Sequence, residues 1–333
     1  MNNKEIAQKT VDRMLDIINN TGRLPWVQPW TNGSRATVQI LDGYTDITIP
    51  SRHWSRAGKA YKGINIWLLN LSGKRGEWVT FKQCQSEGGK VKKGAKGQTI
   101  LYWQMLRKED PNDIDPDTGK PKVKTIPLLK YYTVFNVEAD CEGIETKHHP
   151  EPEVLRIPQY HSEPVEGLDE ADYNTAAEAI IAGYIDRCQT LQLDCKGSSN
   201  EAYYAPYLDK VVVPNITQYQ QPAEYYSTLF HELGHSTGHH SRLNRFTGSA
   251  ACAAFGSESY SREELVAEIT AATILNELGL ESGNTLRNSA AYVKSWASHI
   301  KEDPMMFVTA AGKAEKAVDL ILGTSAQPGE VIA

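Results

Sequence analysis

The stretch His231-Glu232-Leu233-Gly234-His235 decides how the second half of this 333-residue chain is read. It sits in an apolar-patterned segment that Pro222 can open as a first helical turn, so a helix is predicted from there to about Gly238. Four residues advance a helix by about 400°, which places both imidazoles on one face, one turn apart, spaced to grip a single zinc ion. Glu232, beside the first of them, can act as general base toward a water activated at that ion. Leu229, Phe230 and Leu233 give the helix an apolar flank suited to a core.

Two imidazoles leave such a metal one protein ligand short. The extension HExxHxxGxxH starts with Gly238 in place but fails at its last position, which is Ser241. His239 is two turns from His231 and cannot share one ion with it on a straight helix, so it is expected to cap the helix end or line the cleft as an outer group. Downstream, a further helix is predicted from near Ser261 to Gly279. Its Glu264 and Glu268 resemble the pattern of gluzincins, in which the first acid binds metal and the second orients a ligand histidine. Ser261 and Glu264 also stand at capping-box spacing, and with Glu264 engaged there the ligand would be Glu268. Glu264 is the preferred ligand and Glu268 the alternative; Zn2+ is the expected cofactor, with Mn2+ or Co2+ as substitutes. Upstream, Val211-Val212-Val213 predicts a strand reaching about Tyr219, which as an edge beside the active helix would let an extended peptide add.

Charge separates the two halves. Residues 1–140 carry 22 Lys and Arg against 14 Asp and Glu, whereas residues 141–333 carry 13 against 27. Six of the seven Trp lie in the basic half, at 26, 30, 54, 67, 78 and 103. A positive, Trp-rich module points to an anionic, stackable partner, with nucleic acid first. Its pattern predicts a helix over 4–19, a loop around Trp26 and Trp30, and strands at Glu77–Phe81, Gln98–Leu106 and Thr125–Val137. The polar run 109–122 between the last two strands reads as a long hairpin loop. Lys82, Lys90, Lys92, Lys93 and Lys96 supply cations for phosphates, and Trp78, Tyr102 and Trp103 supply faces for unpaired bases, the combination that single-stranded DNA requires.

Residues 141–166 are acidic and carry Pro150, Pro152, Pro158 and Pro164, which reads as a linker in which His148, His149 and His161 are solvated. Domains are therefore expected at 1–140 and 167–333, the second with helices at 169–190, 288–301 and 307–322. The fold class is α+β: a mixed α/β DNA-binding domain, then a mainly helical domain with a small sheet. No run approaches ~18 apolar residues and the N-terminus lacks a hydrophobic signal core, so neither membrane insertion nor export is expected. The five Cys form no CxxC pair, which fits reduced thiols and a cytoplasmic setting.

Two sets of residues together resemble a known family. The N-terminal set (Leu24-Pro25-Trp26, Pro29-Trp30, Tyr61-Lys62-Gly63-Ile64-Asn65, Trp78 to Gln83, Val91 to Gly97, Val134 to Val137) is similar to the ArdC-type antirestriction domain. The C-terminal set (Tyr226 to His239, Ser241-Arg242-Leu243-Asn244-Arg245, Glu263 to Glu268) is similar to that family's zincin-like domain. The resemblance spans nearly the whole chain. It implies single-stranded-DNA binding, a metallopeptidase-like site, carriage by plasmids or other mobile elements, and protection of incoming DNA from restriction. The protein substrate is unnamed, with restriction machinery one candidate. The other reading is a DNA-shielding protein whose zincin domain is structural or regulatory; the intact Glu232 favours the enzyme, because a purely structural site needs no general base.

Overall fold

The opening segment forms helix α1 (Asn3–Thr21), whose Ile6, Ala7, Val11, Met14 and Leu15 recur at helical spacing and are buried. This computed structural model describes residues 2–21, 36–49, 53–114, 119, 121–148, 153–159, 174–197, 199–246, 258–280 and 302–324. The predicted Trp26–Trp30 loop, the helix at 288–301, His149, His161 and Cys252 lie outside them. The architecture is mixed α/β, with sheets in the N-terminal part and helices dominating the C-terminal part.

Strands β1 (Thr37–Leu41) and β2 (Tyr44–Ile49) form an antiparallel hairpin. Strand β3 (His53–Ser55) and helix α2 (Ile64–Asn70) precede β4 (Gly76–Thr80), and Thr80 then opens α3 (Phe81–Ser86) with a capping box to Gln83. The short β5 (Lys90–Val91) leads through a turn into β6 (Gln98–Ile114), which pairs with β7 (Pro121–Asn136). The sheet runs in the order β3-β4-β7-β6. The predicted long loop at 109–122 is largely strand instead. Glu109 faces Val123, Asp110 faces Lys122, and a bulge precedes the pairing of Ile114 with Pro121. A Lys122–Asp113 ion pair at 2.8 Å braces the tip, so opposite charges carry the ladder where apolar residues run out.

The 141–166 linker is a correction. After α4 (Val137–Asp140), β8 (Cys141–Glu142) pairs with β5, and β9 (Glu153–Pro158) pairs with β2. Pro158 is accommodated because β9 is a sheet edge, where a missing N–H breaks no ladder. Nor is His148 simply solvated: its N–H and that of Lys147 donate to buried Glu77 at 2.9 and 2.7 Å, and the other oxygen of Glu77 accepts from Arg56.

Helix α5 (Thr175–Arg187) follows, capped by Asn174. Strands β10 (Gln192–Asp194), β11 (Tyr203–Ala205) and β12 (Lys210–Val212) form a small sheet in the order β10-β12-β11. The predicted strand at 211–219 is thus the short central strand, ended by Pro214 and a 3-10 turn at Ile216–Gln218; the edges are β10 and β11. Pro222 opens α6 (Pro222–Ser236) as predicted. Helices α7 (Glu258–Leu278) and α8 (Pro304–Leu322) complete the described fold, and no helix among these residues is long and apolar enough to cross a membrane.

The charge boundary is not a packing boundary. One buried cluster joins α1, α2 and the ribbon residues Leu101 and Leu129 to Leu265, Val266 and Ile269 of α7 and Phe307 of α8. A second joins Ile47 and Leu155 of the β1-β2-β9 sheet to α5, α6 and Ile274 of α7. Helix α7 therefore lies between two cores, which fixes its depth and rotation against α6.

Candidate metal centre

Helices α6 and α7 bring the site together, and a glycine sets how closely. A Cβ added at Gly234 would stand 3.1 Å from Ala267 Cα and 3.3 Å from its carbonyl oxygen, so any side chain there would press the α7 backbone away by a few tenths of an ångström. We expect Gly234→Val to force the helices apart, with an overpacking cost of about 1–3 kcal/mol and loss of bound metal. Thermal midpoint and metal content measured together would check this; wild-type metal content would show the close approach to be dispensable.

Across this contact His231, His235 and Glu264 converge, each offering a ligand atom within 4.8 Å of the others. The Nε2 atoms of His231 and His235 lie 3.2 Å apart. Glu264 meets both, Oε2 at 3.4 Å from His231 Nε2 and Oε1 at 3.2 Å from His235 Nε2. Two imidazole nitrogens and a carboxylate facing one point are the donor set of a catalytic divalent metal such as zinc, and the residues fit that role. Glu268 lies on the far side of the ring, with Oε2 3.4 Å from His231 Nδ1. The capping alternative for Glu264 falls away because α7 begins at Glu258, which puts Ser261 inside the helix.

Burial opposes charging His231, but Glu264 and Glu268 outweigh it and push its pKa up to about 10. Burial raises the pKa of Glu232, which is 8% exposed, and the Glu264 carboxylate adds to this against the two imidazoles and the Tyr204 N–H. That N–H belongs to the edge strand β11, so this carboxylate is held between the histidine helix and the sheet edge.

The segment after α6 was only partly legible. His239 lies beyond the helix with Nδ1 2.8 Å from Ser241 Oγ and 3.9 Å from Asp209 Oδ2, and it is not in the ligand trio. Asp209, at the β11–β12 turn, accepts from Thr190, Tyr204 and Arg242; burial works to raise its pKa, but these donors bring it down to about 2. Arg242 Nε also donates to the Ser236 carbonyl at 2.8 Å, tying that turn to the end of α6. Glu263 and Arg245, which spacing alone did not single out, also face this site: Glu263 Oε1 is 3.6 Å from His235 Nδ1, and Arg245 grips Glu263.

The expected DNA-contacting residues do not form one surface. Trp78 is only 1% exposed, with its indole N–H donating to His53 Nδ1 at 3.1 Å, so it is a core residue and cannot stack on a base. Lys92 Nζ reaches the Ala139 carbonyl at 3.0 Å and caps the end of α4. Lys82, Lys90, Lys93 and Lys96 are exposed. Tyr102 and Trp103, adjacent on β6, point to opposite faces of the ribbon. On the Tyr102 face, Tyr132 stacks against Tyr102 with centroids 5.0 Å apart and planes within 5°, Lys130 lies opposite Tyr102, and Lys108 lies opposite Lys124. Only cross-strand pairing reveals that grouping.

Residues 4–135 match a family model described as the N-terminal domain of anti-restriction factor ArdC, and residues 186–313 match one described as a zincin-like metallopeptidase. A DNA primase TraC from Escherichia coli is 32% identical over 332 residues, 96% of this chain; the chain spans only 27% of that primase. An uncharacterized protein, y4eC of Sinorhizobium fredii, is 29% identical over 305 residues, covering 86% of this chain and 89% of that protein. The metal-free crystal structure of the antirestriction ArdC protein from plasmid R388 aligns with TM-score 0.63 at 30% identity, covering 97% of this chain and 100% of that one. Its Mn(II)-bound form aligns with TM-score 0.61, also at 30% identity, covering 97% and 98%. Matching that ArdC protein over its full length at 30% identity, and carrying the ArdC N-terminal domain itself, the chain belongs to the ArdC antirestriction family.

Proposed function

We propose that this chain binds single-stranded DNA and hydrolyses a peptide bond at a divalent-metal site, protecting DNA that enters with a mobile element from restriction. The observation that carries the reading is the Glu232 carboxylate beside a His231–His235–Glu264 trio, three protein donors where a tetrahedral metal would take a fourth, non-protein one. The R388 relative, described as antirestriction and crystallised with Mn(II), supports it and keeps manganese beside zinc as a candidate metal.

A divalent metal held by His231, His235 and Glu264 would lower the pKa of an attacking water and polarise the peptide carbonyl. An extended peptide laid along β11, the sheet edge beside Glu232, would run across α6. Glu232 takes the water's proton on its carboxylate and passes it to the leaving nitrogen; a raised pKa brings it closer to the range where both transfers are favourable. A protein of the restriction machinery is the substrate class that the family relation suggests.

The DNA surface we assign to the Tyr102 face of the β6–β7 ribbon, where Lys130 lies opposite Tyr102 of the stacked pair Tyr102–Tyr132 and Lys108 and Lys124 face each other further along the strands. Aromatic faces accept unpaired bases of any sequence, and the lysines track phosphates. The full-length protein should bind single strands more tightly than duplex, with affinity falling steeply in salt. Replacing the three lysines by Gln should flatten that salt slope, whereas Tyr132→Ala should cost about 1–3 kcal/mol at every salt concentration. Equal affinity for duplex and single strand, measured by fluorescence anisotropy, would remove the stacking role.

A further inference from the structure

We propose that Glu263 and Arg245 are a positioning pair for His235, so that each ligand imidazole is steered by its own carboxylate. The proposal rests on the metal reading of the site and adds to it two residues with no assigned role. Both rings turn Nε2 toward Glu264 and Nδ1 outward. On the outward side His231 meets Glu268 at 3.4 Å and His235 meets Glu263 at 3.6 Å. A carboxylate at Nδ1 accepts that atom's proton, leaves Nε2 free to ligate, and makes the ring a stronger donor.

Glu263 is itself held in place. Arg245 donates to both its oxygens, from Nε at 3.0 Å and from Nη2 at 2.5 Å. The same guanidinium donates to Thr237 Oγ1 at 2.7 Å and to the Gly234 carbonyl at 2.8 Å, at the end of the helix that carries His235. The chain of contacts thus closes on itself, from His235 through Glu263 and Arg245 back to Gly234, one residue before His235. An ion pair serving only to staple α6 to α7 would not need its carboxylate beside the outer nitrogen of a ligand imidazole.

The test compares Glu263→Ala, Glu263→Gln and Arg245→Lys in the full chain. It reads Zn2+ affinity by chelator competition, the visible absorption of the Co2+-loaded protein, and the thermal midpoint of the metal-free form. Glu263→Ala should weaken Zn2+ binding about 10–100-fold and alter the Co2+ bands. Glu263→Gln, whose amide oxygen still accepts the Nδ1 proton, should recover most of both. Arg245→Lys, unable to grip both Glu263 oxygens, should weaken binding while leaving the metal-free protein folded. Unchanged Zn2+ affinity and Co2+ bands in Glu263→Ala would overturn the proposal. So would a loss in Glu263→Ala that Glu263→Gln does not recover, because the pair would then be only a staple. An unaltered chain that takes up neither metal would instead overturn the metal reading itself.

Discussion

Glu232→Gln is expected to lower peptide hydrolysis by about 10²–10⁴-fold, the usual share of a general acid–base group, with metal content unchanged. The amide matches the carboxylate in shape but cannot take a proton from water. The position is 8% exposed and within reach of the Tyr204 N–H, which an amide oxygen can still accept, so the fold should hold. A digestion assay on candidate restriction proteins, run beside metal analysis of the same preparation, reads both halves. A variant that keeps full hydrolysis would remove Glu232 as the base. A variant that loses hydrolysis yet still protects incoming DNA would separate the peptidase from antirestriction and favour the shielding role.

The second large effect separates the two acids of α7. Glu264→Ala should remove the carboxylate that, among the described residues, faces both Nε2 atoms, and the chain should lose its metal on dialysis. Glu268→Ala removes a group that touches His231 only at Nδ1 and should weaken binding about 10–100-fold. Metal stoichiometry after dialysis against a weak chelator distinguishes them. The reverse order would make Glu268 the ligand, and equal small losses would place the third ligand elsewhere.

The linker and the DNA surface were misread for a shared reason. Proline and acidic residues at 141–166 indicate exposure, but exposure is also the condition of an edge strand, and β9 is one. Trp78 reads equally well as a stacking platform or as core; its 1% exposure comes from His53, Leu69 and Val134, brought there by other strands and a helix. The adjacent Tyr102 and Trp103 look like one patch in sequence, but the pleat divides them and pairs Tyr102 with Tyr132, thirty residues away.

The sequence by itself determined whatever one helical period or one strand alternation can specify. His231 and His235 share a face because four residues make about one turn, Glu232 stands beside them, and Glu264 and Glu268 repeat the same spacing on α7. What joins those two helices is not periodic. Their separation depends on Gly234 against Ala267, and which acid faces the two Nε2 atoms depends on how two cores rotate α7. Glu263 and Arg245 meet across 18 residues, and Asp209 and Arg242 across 33. Contacts at such separations follow from where whole elements pack, so no local spacing encodes them, and only the tertiary structure decides which side chains turn toward the metal.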